Sequence, residues 1–222
     1  MPPTASLWSS KRWLGPLLAL LVVNGCGGPS PPSRRPATPR PMLTGPELRQ
    51  CLADLDALRV RYRRLPDQNF PGGCQQIGAV QLIDIGVPVT NIGPVTCPLA
   101  RAMTRWVRDA VQPAARVWMS SQVTKVETMG SYSCRPVNGV TGNKLSEHGF
   151  ANAVDISGFD FASGRRVTVL AAWNGQDPDG RDFVRAAFGS GCRHFTKILG
   201  PQANSLHANH FHLDMGRGDY CR

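Results

Sequence analysis

Apolar residues along this chain follow two different periods, and each predicts a different kind of element. In "ELRQCLADLDAL" (47–58) they recur at helical spacing. Thr44 and Glu47 stand a capping-box interval apart, and Pro46 suits a first helical turn. "CPLARAMTRWVRDAVQPAARVW" (97–118) lines up Leu99, Met103, Trp106, Val107, Ala110 and Val111 in one stripe. Pro113 should kink or split that helix. "RDFVRAAFG" (181–189) is a further short helix. Strands are expected at "AVQLIDIGV" (79–87) and at "VTKVETMGSYSC" (123–134), the second running into a loop. "NAVDISGF" and "RRVTVL" flank "ASG", which predicts a hairpin over 153–170. In "HFHLD" (210–214) polar and apolar residues alternate, as in a strand with one buried face. A few strands mixed with segregated helices define an α+β domain: a small antiparallel sheet flanked by helices.

The first 45 residues have neither period. Lys11 and Arg12 precede the apolar run "WLGPLLALLVV" (13–23), whose 11 residues are too few to span a bilayer. With Gly25 and Cys26 closing it, this segment reads as an export signal over 1–25 of the lipoprotein type, with a lipid on Cys26 and membrane attachment. Simple secretion with cleavage nearby is the alternative. Residues 26–45 are rich in Pro, Ser and Arg and cannot bury a core, so they form a tether before a folded domain at 46–222.

Composition sharpens the compartment. Setting Cys26 aside leaves Cys51, Cys74, Cys97, Cys134, Cys192 and Cys221, an even set that implies disulfides outside the cytoplasm. Six cysteines allow 15 connectivities; the sequential pairing 51–74, 97–134 and 192–221 is the preferred one. The net charge of +10 lacks the interleaved aromatics of single-strand binders, so no nucleic-acid partner is expected. Cell-wall polymers and membrane head groups are the polyanions that remain.

Three of the five histidines crowd into "HANHFHLD" (207–214). As a strand, this segment sends Phe211 and Leu213 inward and leaves His210, His212 and Asp214 on the opposite face. That face is half of a metal site or a merely solvated one. The other half is in "SEHGFANAVDISGF" (146–159). Asp155, between Val154 and Ile156, is costly to bury unless a cation or several donors meet it. His148 lies upstream, and Gly149, Ala151 and Ala153 allow the backbone to bend close. Two nitrogens and one oxygen around zinc would leave a fourth position open.

These segments, with "GSYSCR" (130–135), resemble the bacterial extensin-like C-terminal domain family over nearly all of the folded part. "SEHGFANAVD" and "HFH" are also similar to motifs of the lysostaphin, D-Ala-D-Ala peptidase and murein endopeptidase group of zinc peptidases. The resemblance implies His148, Asp155 and His212 as Zn2+ ligands, with His210 beside the site. The spacing of His207, His210 and His212 is similar to that of penicillin-insensitive murein endopeptidases. Arg135 resembles an arginine that some members aim at a substrate carbonyl; a structural ion pair is its alternative role. The chain has Asn209 where the dipeptidase branch has a glutamate base.

The function implied is a zinc-dependent peptidase acting on peptidoglycan peptides. A wall-binding lipoprotein with a structural or vestigial metal site, and a disulfide-stapled interaction protein, are the competing classes. Glu147, His194, the tripeptide at 217–219 and Trp106, Trp118 and Trp173 are expected to play no chemical part. Mass spectrometry of the mature N-terminus should find a lipid on Cys26; residue 26 unmodified and still joined to residue 25 would contradict this.

Overall fold

The computed structural model describes residues 43–222. The signal, Cys26 and most of the tether lie outside the described residues. The chain opens with α1 (Gly45–Ala57), β1 (Arg61–Arg64), β2 (Gln68–Asn69), β3 (Gln75–Gln76), β4 (Ala79–Asp84), β5 (Val89–Thr90) and β6 (Val95–Thr96). Helices α2 (Cys97–Trp106) and α3 (Gln112–Met119) follow, joined by the π-helical turn Val107–Val111. Then come β7 (Val123–Gly130), β8 (Ala153–Phe161), β9 (Arg166–Thr168), α4 (Val169–Ala172), α5 (Pro178–Gly191), β10 (Lys197–Leu199), β11 (Phe211–Asp214) and β12 (Tyr220–Cys221).

The architecture is α+β. The main sheet has seven strands in the order β12-β10-β11-β8-β7-β5, with β9 beside the second half of β8. Its centre is antiparallel, but both edges are parallel pairs, β10 with β12 and β5 with β7, which makes it larger and more mixed than expected. A second, antiparallel sheet runs β1-β4-β6.

Local chemistry explains where the elements stop. Thr44 and Glu47 form the expected capping box, the Glu47 carboxylate accepting Thr44 N–H at 2.7 Å. β4 ends at Asp84, not residue 87, because the Asp84 carboxylate accepts Gly86 N–H at 2.8 Å and turns the chain. Pro113 splits its helix through a π turn in which Gln112 N–H reaches back to Val107 O; the wider turn accommodates a residue with no N–H to donate. The second hairpin strand stops at Thr168, whose hydroxyl caps α4 by accepting Ala171 N–H. Asp177 caps α5 in the same way.

The core lies between the helices and one face of the main sheet. Trp106 is fully buried against Phe159 and Phe195, its indole N–H donating to Ala187 O at 3.1 Å. Trp173 packs on Phe188 and Phe211, whereas Trp118 is exposed. Strand β8 carries a bulge: Gly158 pairs with Glu127 but Ile156 pairs with Thr128, leaving Ser157 over. Val154 and Ile156 therefore point into the core on even numbers, and Phe159 and Phe161 on odd ones.

The disulfides are Cys51–Cys97, Cys74–Cys134 and Cys192–Cys221. Only the last matches the sequential pairing. Packing decides the others: α1 lies on α2, where Asp54 also meets Arg101 at 2.5 Å, so Cys51 finds Cys97 and not Cys74. Three disulfides place the domain in an oxidising, extracytoplasmic compartment. Among the described residues no helix is long and apolar enough to cross a membrane.

Leu213 is fully buried, so Leu213→Ala should cost about 2–5 kcal/mol in urea denaturation. Leu170→Ala, at a residue 66% exposed, should stay within about 0.5 kcal/mol. Equal costs at the two positions would contradict this assignment of the core.

Candidate metal centre

Strand β11 does what its alternation predicts: Phe211 and Leu213 are fully buried in the core, while His212 and Asp214 occupy the other face. Its neighbour is β8, and the register sets His212 directly opposite Asp155. Cross-strand partners sit close enough to touch, and His212 Nδ1 lies 3.0 Å from Asp155 Oδ1. Two residues 57 positions apart thus become a contact pair.

His148 arrives from a single 3-10 turn, Glu147–Phe150, whose cap Ser146 accepts His148 N–H at 3.4 Å. Ala151 leaves this turn in the left-handed region at φ 53°. Gly149, the residue after His148, is needed for space, since a Cβ there would stand 2.9 Å from Cys74 Sγ. This places His148 Nε2 at 3.1 Å from His212 Nδ1 and 3.2 Å from Asp155 Oδ2.

The outward ring nitrogens have their own partners, and those partners set the tautomers. His148 Nδ1 is 3.2 Å from Ser131 O, a pure acceptor, so that nitrogen carries the proton. His212 Nε2 is 3.0 Å from Asp214 Oδ2, again an acceptor. Both imidazoles then turn a lone pair towards the Asp155 carboxylate. The two ring nitrogens, 3.1 Å apart, and the two Asp155 oxygens, Oδ1 3.0 Å from His212 and Oδ2 3.2 Å from His148, include no donor and are unstable together unless a cation sits among them. Taking one ligand atom from each residue, all three lie within 4.8 Å of one another. His148, Asp155 and His212 are the group that could hold a metal ion.

Without metal, a proton supplies the positive charge. Burial alone would lower the pKa of His212, but its hydrogen bonds to Asp155 and Asp214 and their charges raise it to about 9. Burial would raise that of Asp155, but its close approach to His148 and His212 holds it well below the usual carboxylate range.

The remaining histidines differ in kind. His210 lies just before β11, with Nδ1 at 2.9 Å from Asn209 Oδ1 and Nε2 at 3.6 Å from Asp155 Oδ1. Burial lowers its pKa, opposed by Asp155 and assisted by His212, His148 and Arg135. His207 donates to Asn204 Oδ1 at 2.8 Å and lies 5.2 Å, ring to ring, from His210. Burial, then the charges of His210 and His212, takes its pKa to about 4. Both rings are driven towards the neutral form beside the acceptor triangle. Arg135 is half-buried and near enough for its charge to act on both. Among the described residues no carboxylate pairs with Arg135 in a salt bridge.

Glu147 points elsewhere: its carboxylate accepts Asn152 Nδ2–H at 2.8 Å and fills the space that a side chain at Gly216 would need. His194 lies beyond α5, near Arg193 and Asp109. Two contributors were missed in reading the sequence. Any residue could have supplied the Ser131 carbonyl. Asn204 did carry a signal, since it caps the turn ending at His207 by accepting Leu206 N–H at 3.0 Å.

Fold and site together define an extracytoplasmic α+β domain with a buried His–Asp–His group able to hold a metal ion. The profile of the extensin-like protein C-terminus family matches residues 49–222, and the chain belongs to that family. No curated protein and no solved structure matches it.

Zinc titrated into metal-free protein at pH 7 should bind once and release close to one proton, because His212 titrates at about 9 and must give its proton up. Calorimetry in two buffers of different ionisation enthalpy measures the release. His148→Ala and His212→Ala should abolish uptake and His194→Ala should not. Stoichiometric zinc in the His212 variant would refute the ligand set.

Proposed function

We propose that the protein is a zinc-dependent peptidase that hydrolyses amide bonds in cell-wall peptides. The observation that supports this best is the acceptor triangle itself, open to a neutral imidazole on one side. His148, Asp155 and His212 would hold the ion; two nitrogens and one carboxylate oxygen suit zinc. When bound, zinc supplies Lewis-acid chemistry, polarising a carbonyl and acidifying water.

The protein's own groups do the rest. Ser131 O and Asp214 fix the two ligand rings, so their lone pairs stay aimed inward. His210 stands next to Asp155 without belonging to the triangle, and its lowered pKa keeps Nε2 free to accept a proton and later return it. Arg135 adds positive charge on the side of His207 and His210, where negative charge on a substrate oxygen would be stabilised. His207 backs His210 and is itself neutral.

Peptidoglycan peptides are the substrate this reading favours. The disulfides suit an extracytoplasmic protein, for which wall peptides would be within reach, and the motifs resemble those of wall peptidases. The lipid on Cys26 would hold the enzyme at a membrane within tether reach of its substrate. One observation favours the non-catalytic, wall-binding reading: Asn209 occupies the place of a glutamate base and is engaged with His210.

The two readings separate on purified muropeptides, with zinc measured in every sample. His210→Ala should keep its zinc and lose about 10²–10⁴-fold in cleavage rate. Equal cleavage by the variant and the parent would remove His210 from the mechanism. Cleavage by neither, with muropeptide binding intact, would favour the wall-binding protein.

A further inference from the structure

The segment that orients His148 has little structure of its own. After β7 ends at Gly130, residues 131–146 hold one three-residue 3-10 turn and an isolated bridge between Pro136 and Leu145. Two groups of the site depend on this stretch: the Ser131 carbonyl that accepts His148 Nδ1–H at 3.2 Å, and the Arg135 side chain. Backbone hydrogen bonds add to this, Ser133 N–H donating to His148 O at 3.3 Å and Ser146 N–H, at the cap of the turn, to Arg135 O at 3.0 Å.

The covalent tie is Cys74–Cys134, and it falls between Ser131 and Arg135. Cys74 is fully buried, and its sulfur sits against Gly149, the residue after His148; a Cβ on Gly149 would also lie 3.9 Å from Cys134 Cα. One disulfide therefore contacts the metal-ligand turn from one side and carries its hydrogen-bond acceptor on the other. We infer that Cys74 and Cys134 are positioning residues of the metal centre: their disulfide fixes the tautomer and the aim of His148, beyond its share in stability. This rests on the metal-binding reading of the site. The disulfide Cys192–Cys221 provides the contrast, because it joins the end of α5 to edge strand β12, two strands from β11.

The test uses the full chain and two readouts: zinc affinity by chelator competition, and ring 15N NMR of His148 in the metal-free protein. Cys74→Ser/Cys134→Ser should lose about 10–100-fold in zinc affinity, as when an outer partner of a ligand is removed. Its His148 spectrum should change from one Nδ1–H tautomer to a mixture. Cys192→Ser/Cys221→Ser should keep both wild-type values. If the first pair does not fold, Gly149→Ala replaces it, since all disulfides stay intact while the new methyl group presses on Cys74 Sγ; zinc affinity should fall roughly tenfold. Unchanged affinity and an unchanged His148 spectrum in either variant would overturn the inference. If the wild type itself binds no zinc, the metal-binding reading fails, and the spectrum alone decides the positioning role.

Discussion

Two imidazole nitrogens and the Asp155 carboxylate approach one another at 3.0–3.2 Å, the rings turned to present lone pairs by their outer partners and the carboxylate an acceptor by its charge. In a site where the three residues are at most 9% exposed, that arrangement repels itself unless a positive charge enters. A proton on His212 serves in the metal-free protein; a bound metal ion would satisfy all three residues at once. The rest of the domain can be read as the apparatus that holds this triangle in place.

The three residues of the group rest on two kinds of support. His212 and Asp155 are cross-strand neighbours in the rigid centre of the sheet, with the core residues Phe211, Leu213, Val154 and Ile156 beneath them. The bulge at Ser157 lets β8 present Asp155 to the site at one end and return Phe159 and Phe161 to the core at the other. His148 has no strand beneath it. It depends on a short turn, a carbonyl from a neighbouring loop and the packing of Gly149 against a disulfide. The metal-free site is thus rigid on two sides and tied on the third, a placement that suits a site needing fixed ligands and an open approach.

Much of this was legible in the sequence where the signal was local. The capping box at Thr44, the helix around 181–189 and the alternation in "HFHLD" all depend on residues a few positions apart, and each element formed. Asp155 stood out because a carboxylate amid Val154 and Ile156 needs a partner wherever the strand goes. Signals set by tertiary packing were not legible. Nothing near Cys51 or Cys74 reveals that α1 lies on α2, so two disulfides were paired wrongly. Pro113 announced a disturbance but not a π turn. The Ser131 acceptor is a backbone carbonyl, which every residue has. The parallel edge strands β5 and β12 are two residues each, too short to show a period.

X-ray absorption at the zinc edge, on the full chain loaded with one equivalent of metal, probes the triangle most directly. Two imidazole nitrogens and one or two oxygens at about 2.0–2.2 Å, with no sulfur, are predicted. Outer-shell scattering should fit two imidazole rings. A third ring would mean that His210 or His207 is a ligand and not a neighbour, and a spectrum of hydrated zinc alone would mean that the triangle is held by its proton and binds no metal.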